Sequence, residues 1–246
     1  MAFPATKPTP ASGLVRRRSG YVPPRDRHAY PFPDLLKRIG RAPLENRQLE
    51  FLGADGLIFY SGELDLLEAP TVSIVGTREV SDAGWKRAAQ LARELARTGI
   101  TIVSGLAKGV DTAALTSAVS HGGRVAAVIG TPLDKAYPAE NVDLQQEIYA
   151  NHLLISPFRE GGRVFRSNFP ARNRVMAAIS DATVIVEASD TSGTLHQAAE
   201  CQRLGRWLFI LRSVVDDKSI AWPARFIGKP FVEILDRTED LLERIR

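Results

Sequence analysis

Thr71-Val72-Ser73-Ile74-Val75-Gly76-Thr77-Arg78 sets the architecture. A short apolar run ends in a glycine turn, and a helical pattern opens near Ser81. The same unit then recurs. Strand-like apolar runs stand at 72–75, 100–103, 125–129, 153–155, 183–186 and 207–211, with helical stretches near 81–98, 109–121, 141–150, 170–180 and 193–204 between them. Strands apolar on both faces, alternating with helices, predict a parallel sheet covered on both sides. The expectation is a doubly wound, mostly parallel, Rossmann-like α/β domain over 71–246. A further strand at 231–235 and a helix at 237–246 close it. Such sheets bind ligands beyond the carboxyl ends of their strands.

The strand ends are therefore the places to look for chemistry. Gly76-Thr77-Arg78 is a glycine turn into a helix start with an arginine beside it. The next glycine, Gly84, is eight residues on, so the dinucleotide fingerprint is absent. The turn reads either as a phosphate site or as an ordinary strand–helix connection. Ser104-Gly105-Leu106-Ala107-Lys108-Gly109-Val110-Asp111 brackets a lysine between glycines. Glycines let backbone approach a ligand closely, and Lys108 offers a point charge to phosphate. Asp111 reads more simply as a favourable acid at a helix start. The loop 130–141 carries Asp134, Tyr137-Pro138 and Asn141. Tyr137 can stack on a base or anchor its own loop. Ser192-Gly193-Thr194 opens another helix and offers amides and hydroxyls to an anion.

The densest stretch is Asn168-Phe169-Pro170-Ala171-Arg172-Asn173-Arg174, running into Val175-Met176-Ala177-Ala178-Ile179-Ser180. Pro170 suits a first helical turn and Asn168 can cap it. At 100° per residue, Ala171, Val175, Ala178 and Ile179 share an apolar face. Arg172 falls about 60° from Val175 on that face, whereas Asn173 points away. An inward guanidinium needs a buried carboxylate or an anion. Glu187, at the end of 183–186, can pair with Arg172 or Arg174.

Composition limits the other classes. The chain has 246 residues, a formal charge of +4, one cysteine and four scattered histidines, so neither a disulfide framework nor a zinc spacing is present. No run has the apolar length of a membrane span and no signal-peptide pattern follows Met1, which together point to a reducing cytoplasm. Residues 1–30 hold Lys7, Arg16, Arg17, Arg18, Arg25 and Arg27 against Asp26. That net +5 leaves residues 31–246 near −1. Polyanion binding by the folded part must come from a local patch. Residues 1–33, rich in Pro, Arg and small polar groups, read as a disordered tail. Residues 34–70 read as a short lead-in, with a helix around Leu35, Leu36 and Ile39, a strand at 57–60 and a turn at Ser61-Gly62. Trp85, Ala88, Ala92 and Leu95 read as core. His196 and Cys201 read as packing residues rather than ligands.

In order along the chain, these motifs resemble the DNA-processing DprA (Smf) family. The matching pieces are Ile74-Val75-Gly76-Thr77-Arg78, residues 104–111, residues 130–141, Leu154-Ile155-Ser156, residues 168–174, and Val186-Glu187-Ala188 with Ser192-Gly193-Thr194-Leu195. The likeness covers roughly 57–211. It departs at Leu115, where the family usually has histidine, at Pro157-Phe158, at His196-Gln197-Ala198 and at Arg212-Ser213-Val214-Val215. The resemblance implies a Rossmann domain that binds single-stranded DNA, protects incoming strands and helps load a RecA-type recombinase in natural transformation. It implies no catalysis and no cofactor, and often a homodimer. It maps the DNA-contacting basic pocket onto Arg78, Lys108 and residues 172–174. Gly76, Thr77, Ser104, Gly105, Gly109, Asn168, Phe169, Asn173 and Ser192-Gly193-Thr194 are expected around that pocket, supported by Asp111, Asp134, Tyr137, Asn141 and Glu187.

Two other functions fit the same fold. A LOG-like phosphoribohydrolase would want a double glycine and a following Glu where this chain has Ser192-Gly193-Thr194-Leu195-His196-Gln197. It would also need a carboxylate near the ribose, for which Glu187 or Asp134 is the candidate. A nucleotide-sensing module would use the same strand-end groups for a small ligand.

Overall fold

Every apolar run except the shortest lead-in segments becomes a strand of one sheet. The computed structural model describes residues 20–42, 44, 50–52 and 55–245. Among the described residues nine strands form: β1 (His28–Pro31), β2 (Leu57–Gly62), β3 (Thr71–Val75), β4 (Thr101–Ser104), β5 (Val125–Val128), β6 (Leu153–Ser156), β7 (Ala182–Ile185), β8 (Trp207–Leu211) and β9 (Val232–Leu235). Their order is β1-β2-β6-β5-β4-β3-β7-β8-β9. All neighbouring pairs from β6 across to β9 are parallel, and β1 and β2 add an antiparallel edge. The chain winds outward from β3 to β6, then crosses back to start β7 on the other side of β3. The β3/β7 junction is therefore the switch point at which doubly wound sheets open a crevice.

The helices are α1 (Phe32–Arg38), α2 (Asp82–Arg97), α3 (Val110–Ser120), α4 (Val142–Asn151), α5 (Asn168–Ile179), α6 (Thr194–Arg203), α7 (Arg212–Val215) and α8 (Thr238–Ile245). Alternating strand residues feed two apolar layers. Val72, Ile74, Val184 and Phe209 pack with Leu91, Leu95, Leu115 and Leu241 on one face. Val75, Ile185, Leu208 and Ile210 pack with Leu35, Val175, Ile179 and Trp222 on the other. Period-two alternation thus assigns α2, α3 and α8 to one layer and α1 and α5 to the opposite one.

The boundaries expected before residue 71 need correction. Residues 1–19 lie outside the described residues. Residues 20–33 do not form a tail: Tyr21 Oη donates to the Leu133 carbonyl at 2.8 Å, Gln145 Nε2 donates to Tyr21 Oη at 2.8 Å, and Val22 bonds Gln146 and Tyr149 on α4. His28–Pro31 then pairs with β2. An edge position suits Pro31, whose missing N–H faces no second neighbour. Residues 34–70 are not a separate lead-in, because β2 pairs with both β1 and β6 inside the same sheet.

Candidate functional site

The carboxyl ends of β3 and β7 open a cleft of about 290 Å³. Gly76, Thr77, Arg78, Asp111, Phe169, Arg172, Asn173, Ser192, Gly193 and Thr194 line it, so ten of the expected positions converge. A side cavity of about 40 Å³ adjoins it towards β4 and β5, lined by Arg78, Gly105, Lys108, Gly130, Tyr137, Pro138, Phe169 and Arg172. Arg78, Phe169 and Arg172 border both spaces.

Arg78 follows β3 directly and is exposed. Its guanidinium lies 5.3 Å from the Phe169 ring centroid, and Phe169 meets Tyr137 with ring centroids 5.5 Å apart. The contact orients the cation without neutralising it. Among the described residues Arg78 forms no ion pair. Lys108 is exposed and pairs with Glu140. Glu140 stands within the 130–141 loop and is not among the expected site residues. An exposed pair of this kind contributes about 0–1 kcal/mol, so a phosphate can take Glu140's place. Arg174 is also exposed.

Arg172 answers differently from the expectation. It is buried, and its partners are backbone carbonyls and Asn173 rather than Glu187. Its Nη1 donates to the carbonyl of Gly105 and, at 2.5 Å, to that of Val128, while Nε donates to Asn173 Oδ1 at 3.0 Å. It therefore ties the ends of β4 and β5 to α5. Burial pushes its guanidinium down to about 10, against the opposing pull of Asp111. Burial likewise pushes the Asp111 carboxyl above its ordinary range, against the charge of Arg172. The two buried charges oppose each other's desolvation through space, while Arg172 bonds backbone carbonyls and Asp111 bonds backbone amides. Glu187 instead accepts from the Ser81 amide at 2.9 Å and the Ser81 hydroxyl at 2.6 Å, fixing the start of α2. Residues 15 positions apart gave no signal of which would meet.

The glycine-rich loop after β4 is held from inside. Asp111 Oδ2 accepts from the amides of Gly105, at 3.1 Å, and Ala107, at 3.3 Å. Asn141 Nδ2 donates to the Leu106 carbonyl at 2.9 Å. These bonds hold Leu106 at φ 57, a conformation that costs a residue with a Cβ about 1–2 kcal/mol. A Cβ on Gly105 would fall within the Arg172 guanidinium. On Gly109, at φ +80, it would strike the Thr77 and Arg78 carbonyls. These two glycines let backbone meet protein rather than ligand.

Other expected contacts prove internal. Ser104 is fully buried and donates to the Ile74 carbonyl at 2.7 Å. Asn168 does not cap α5. It lies inside the first turn and donates to the Gly130 carbonyl at 3.3 Å. Asp134 Oδ2 accepts from the Gly161 amide at 3.3 Å. At the α6 start, the Thr194 amide bonds Ser192 Oγ, and the Leu195 and His196 amides bond the Ser192 and Gly193 carbonyls. Thr194 Oγ1 donates to the Gly76 carbonyl at 3.1 Å, closing the β3/β7 seam. Those three amides are thus used within the turn instead of facing the cleft. The cleft also takes in Glu79, Pro170, Met176, Ser189 and Gln197, none of them expected as site residues. Gln197 sits one turn beyond Thr194, a spacing that does place it on the same helix face. Among the described residues no group of His, Cys, Asp and Glu could hold a metal ion, and no helix is long and apolar enough to cross a membrane.

Fold and site together define a doubly wound, Rossmann-like protein with a cationic, aromatic-edged cleft at its switch point. The chain belongs to the DNA recombination-mediator protein A family, whose model matches residues 30–246. The motif-based resemblance to DprA and Smf proteins is thereby borne out. DNA processing protein DprA of Streptococcus pneumoniae is 40% identical over 168 residues, 68% of this chain and 59% of that protein. Its X-ray structure superposes with a TM-score of 0.69, covering 82% of this chain and 72% of the other. Protein Smf of a Synechocystis strain is 40% identical over 164 residues, 65% of this chain and 41% of its own length. DNA processing protein A of Helicobacter pylori, solved to show its single-stranded DNA binding mode, matches at 29% identity and TM-score 0.69, covering 81% of this chain and 93% of the other. The chain thus spans about half the length of the first two curated relatives.

Proposed function

We propose that this protein binds single-stranded DNA across the β3/β7 cleft, as a DNA-processing protein that shields strands rather than cutting them. The observation that carries the reading is Arg78: exposed, held over Phe169, and unpaired by any acid among the described residues. A cation beside aromatic rings suits a strand whose phosphates and bases alternate. Lys108 and Arg174 add charge on the same edge. The relative solved for single-stranded DNA binding supports the choice of polymer.

The two carboxylates named for a phosphoribohydrolase are engaged within the fold. Glu187 holds Ser81 and Asp134 holds the Gly161 amide. This favours a binder without catalysis. Recombinase loading and homodimerisation stand as further proposals carried by the family.

Oligothymidine titration by mobility shift tests the reading. With Arg172 removed from the contact set, Arg78, Lys108 and Arg174 neutralise about three phosphates, so log K falls against log salt with a slope of about −2. Absence of binding at low salt overturns it. Release of free base from nucleoside monophosphates would favour the enzyme instead.

A further inference from the structure

The loop between β6 and α5 carries an unexplained surface. Phe165 is 58% exposed and Val164 41% exposed, although both are large apolar side chains. Arg163 and Arg166 flank them, are exposed, and have no side-chain partner among the described residues. Contiguous exposed apolar side chains rimmed by polar or charged ones are a feature of interaction sites.

The loop is not loose chain. Its first half is pinned: Lys135 Nζ donates to the Gly162 carbonyl at 2.8 Å, the Gly161 amide donates to Asp134 at 3.3 Å, Arg159 pairs with Asp55, and Glu160 pairs with Arg27. Its second half turns directly into the site helix, since the Asn168 amide donates to the Phe165 carbonyl at 3.1 Å. Phe165 therefore starts one turn before Phe169, the ring beneath Arg78. The nearby acids Glu160 and Asp55 are already paired, which leaves 163–166 with net positive charge.

We propose that residues 163–166 continue the single-strand track beyond the cleft. Phe165 stacks on a base, and Arg163 and Arg166 take the flanking phosphates. This rests on the cleft binding single-stranded DNA, and it adds a second subsite that only longer strands reach. An aromatic between two unneutralised cations matches the alternation of base and phosphate. A protein partner would have to supply two carboxylates around an apolar pair, and a second copy of this chain is the competing occupant.

The test uses the full chain and oligothymidines of about four and about sixteen nucleotides, spanning the usual site sizes. Phe165→Ala should weaken binding of the long strand about tenfold and leave the short one unchanged. Arg163→Gln with Arg166→Gln should reduce the salt slope for the long strand by about 1.4. In Phe165→Trp, the long strand should quench the indole and the short one should not. These side chains are exposed, and an unchanged melting temperature confirms intact folding. The loop proposal falls if the long strand binds the variants like wild type, or if Phe165→Ala changes the sedimenting mass and not the affinity. If wild type binds neither strand, the cleft reading and the loop proposal both fail.

Discussion

Arg172→Met separates a strut from a contact. Methionine is unbranched and fills much of the space, so the change removes charge and donors more than volume. It leaves the Gly105 and Val128 carbonyls without their donor and the buried Asp111 without its opposite charge. A stranded buried acceptor costs about 1–3 kcal/mol, and two carbonyls lose their donor here while the buried Asp111 charge loses its compensation. These losses overlap, so about 4 kcal/mol is expected overall. For a chain of this size each kcal/mol shifts Tm by about 2–4 °C, which gives a fall of about 8–16 °C. The sign of the pH dependence follows from Asp111. Its folded pKa is raised, so its charged form costs stability in full above the folded value, and that cost declines as pH falls below it and is gone below the unfolded carboxyl's range. Without Arg172 the cost grows. The variant's deficit should be greatest at about pH 8 and shrink on acidification, and adding Asp111→Asn should recover part of it. Melts across pH, paired with oligothymidine titrations, are the assay. An Arg172→Met protein that melts within about 2 °C of wild type, yet loses binding as fully as Arg78→Ala, would refute the strut.

Two further outcomes follow. Cys201 is fully buried and burial pushes its thiol up to about 12, so a thiol reagent at about pH 8 should label it only after denaturant is added, as absorbance with a chromogenic disulfide reports. Burial pushes the Tyr21 phenol up to about 12, so one of the five tyrosines should ionise late in an ultraviolet titration, and Tyr21→Phe should remove that step. Because the folded form holds that proton longer, Tyr21 contributes stability below pH 10 that is lost as pH rises towards 12.

The legible and illegible parts of this molecule divide along physical lines. The central strands read directly because burial on both faces favours apolar-rich runs such as Trp207–Leu211 and Thr71–Val75, where buried Ser73 is satisfied by Ser180. His28–Pro31 gave no such signal: an edge strand with exposed faces tolerates His, Pro and Tyr. The cleft-forming segments were visible because glycine turns, polar caps and cations cluster at strand ends. Their individual roles were not. Ser104, Asn168 and Thr194 spend their polar groups on backbone carbonyls, a choice made by tertiary neighbours 30, 38 and 118 residues away. The inward side of Arg172 followed from helical periodicity, whereas its carbonyl partners depended on where β4 and β5 end. Charge location also sharpened the reading, because it moved the question from overall basicity to Arg78 and its neighbours.

The most direct measurement compares oligothymidine binding by Arg78→Gln and wild type, each carrying Arg16→Gln, Arg17→Gln and Arg18→Gln so that charge on residues 1–19 does not mask the cleft. Arg78 is exposed, so the folded state should keep its Tm. Affinity should fall about tenfold or more at low salt for every sequence tested, with the salt slope shallower by about 0.7. Equal affinity and equal slope for the two proteins would contradict the cleft as the site of single-strand binding.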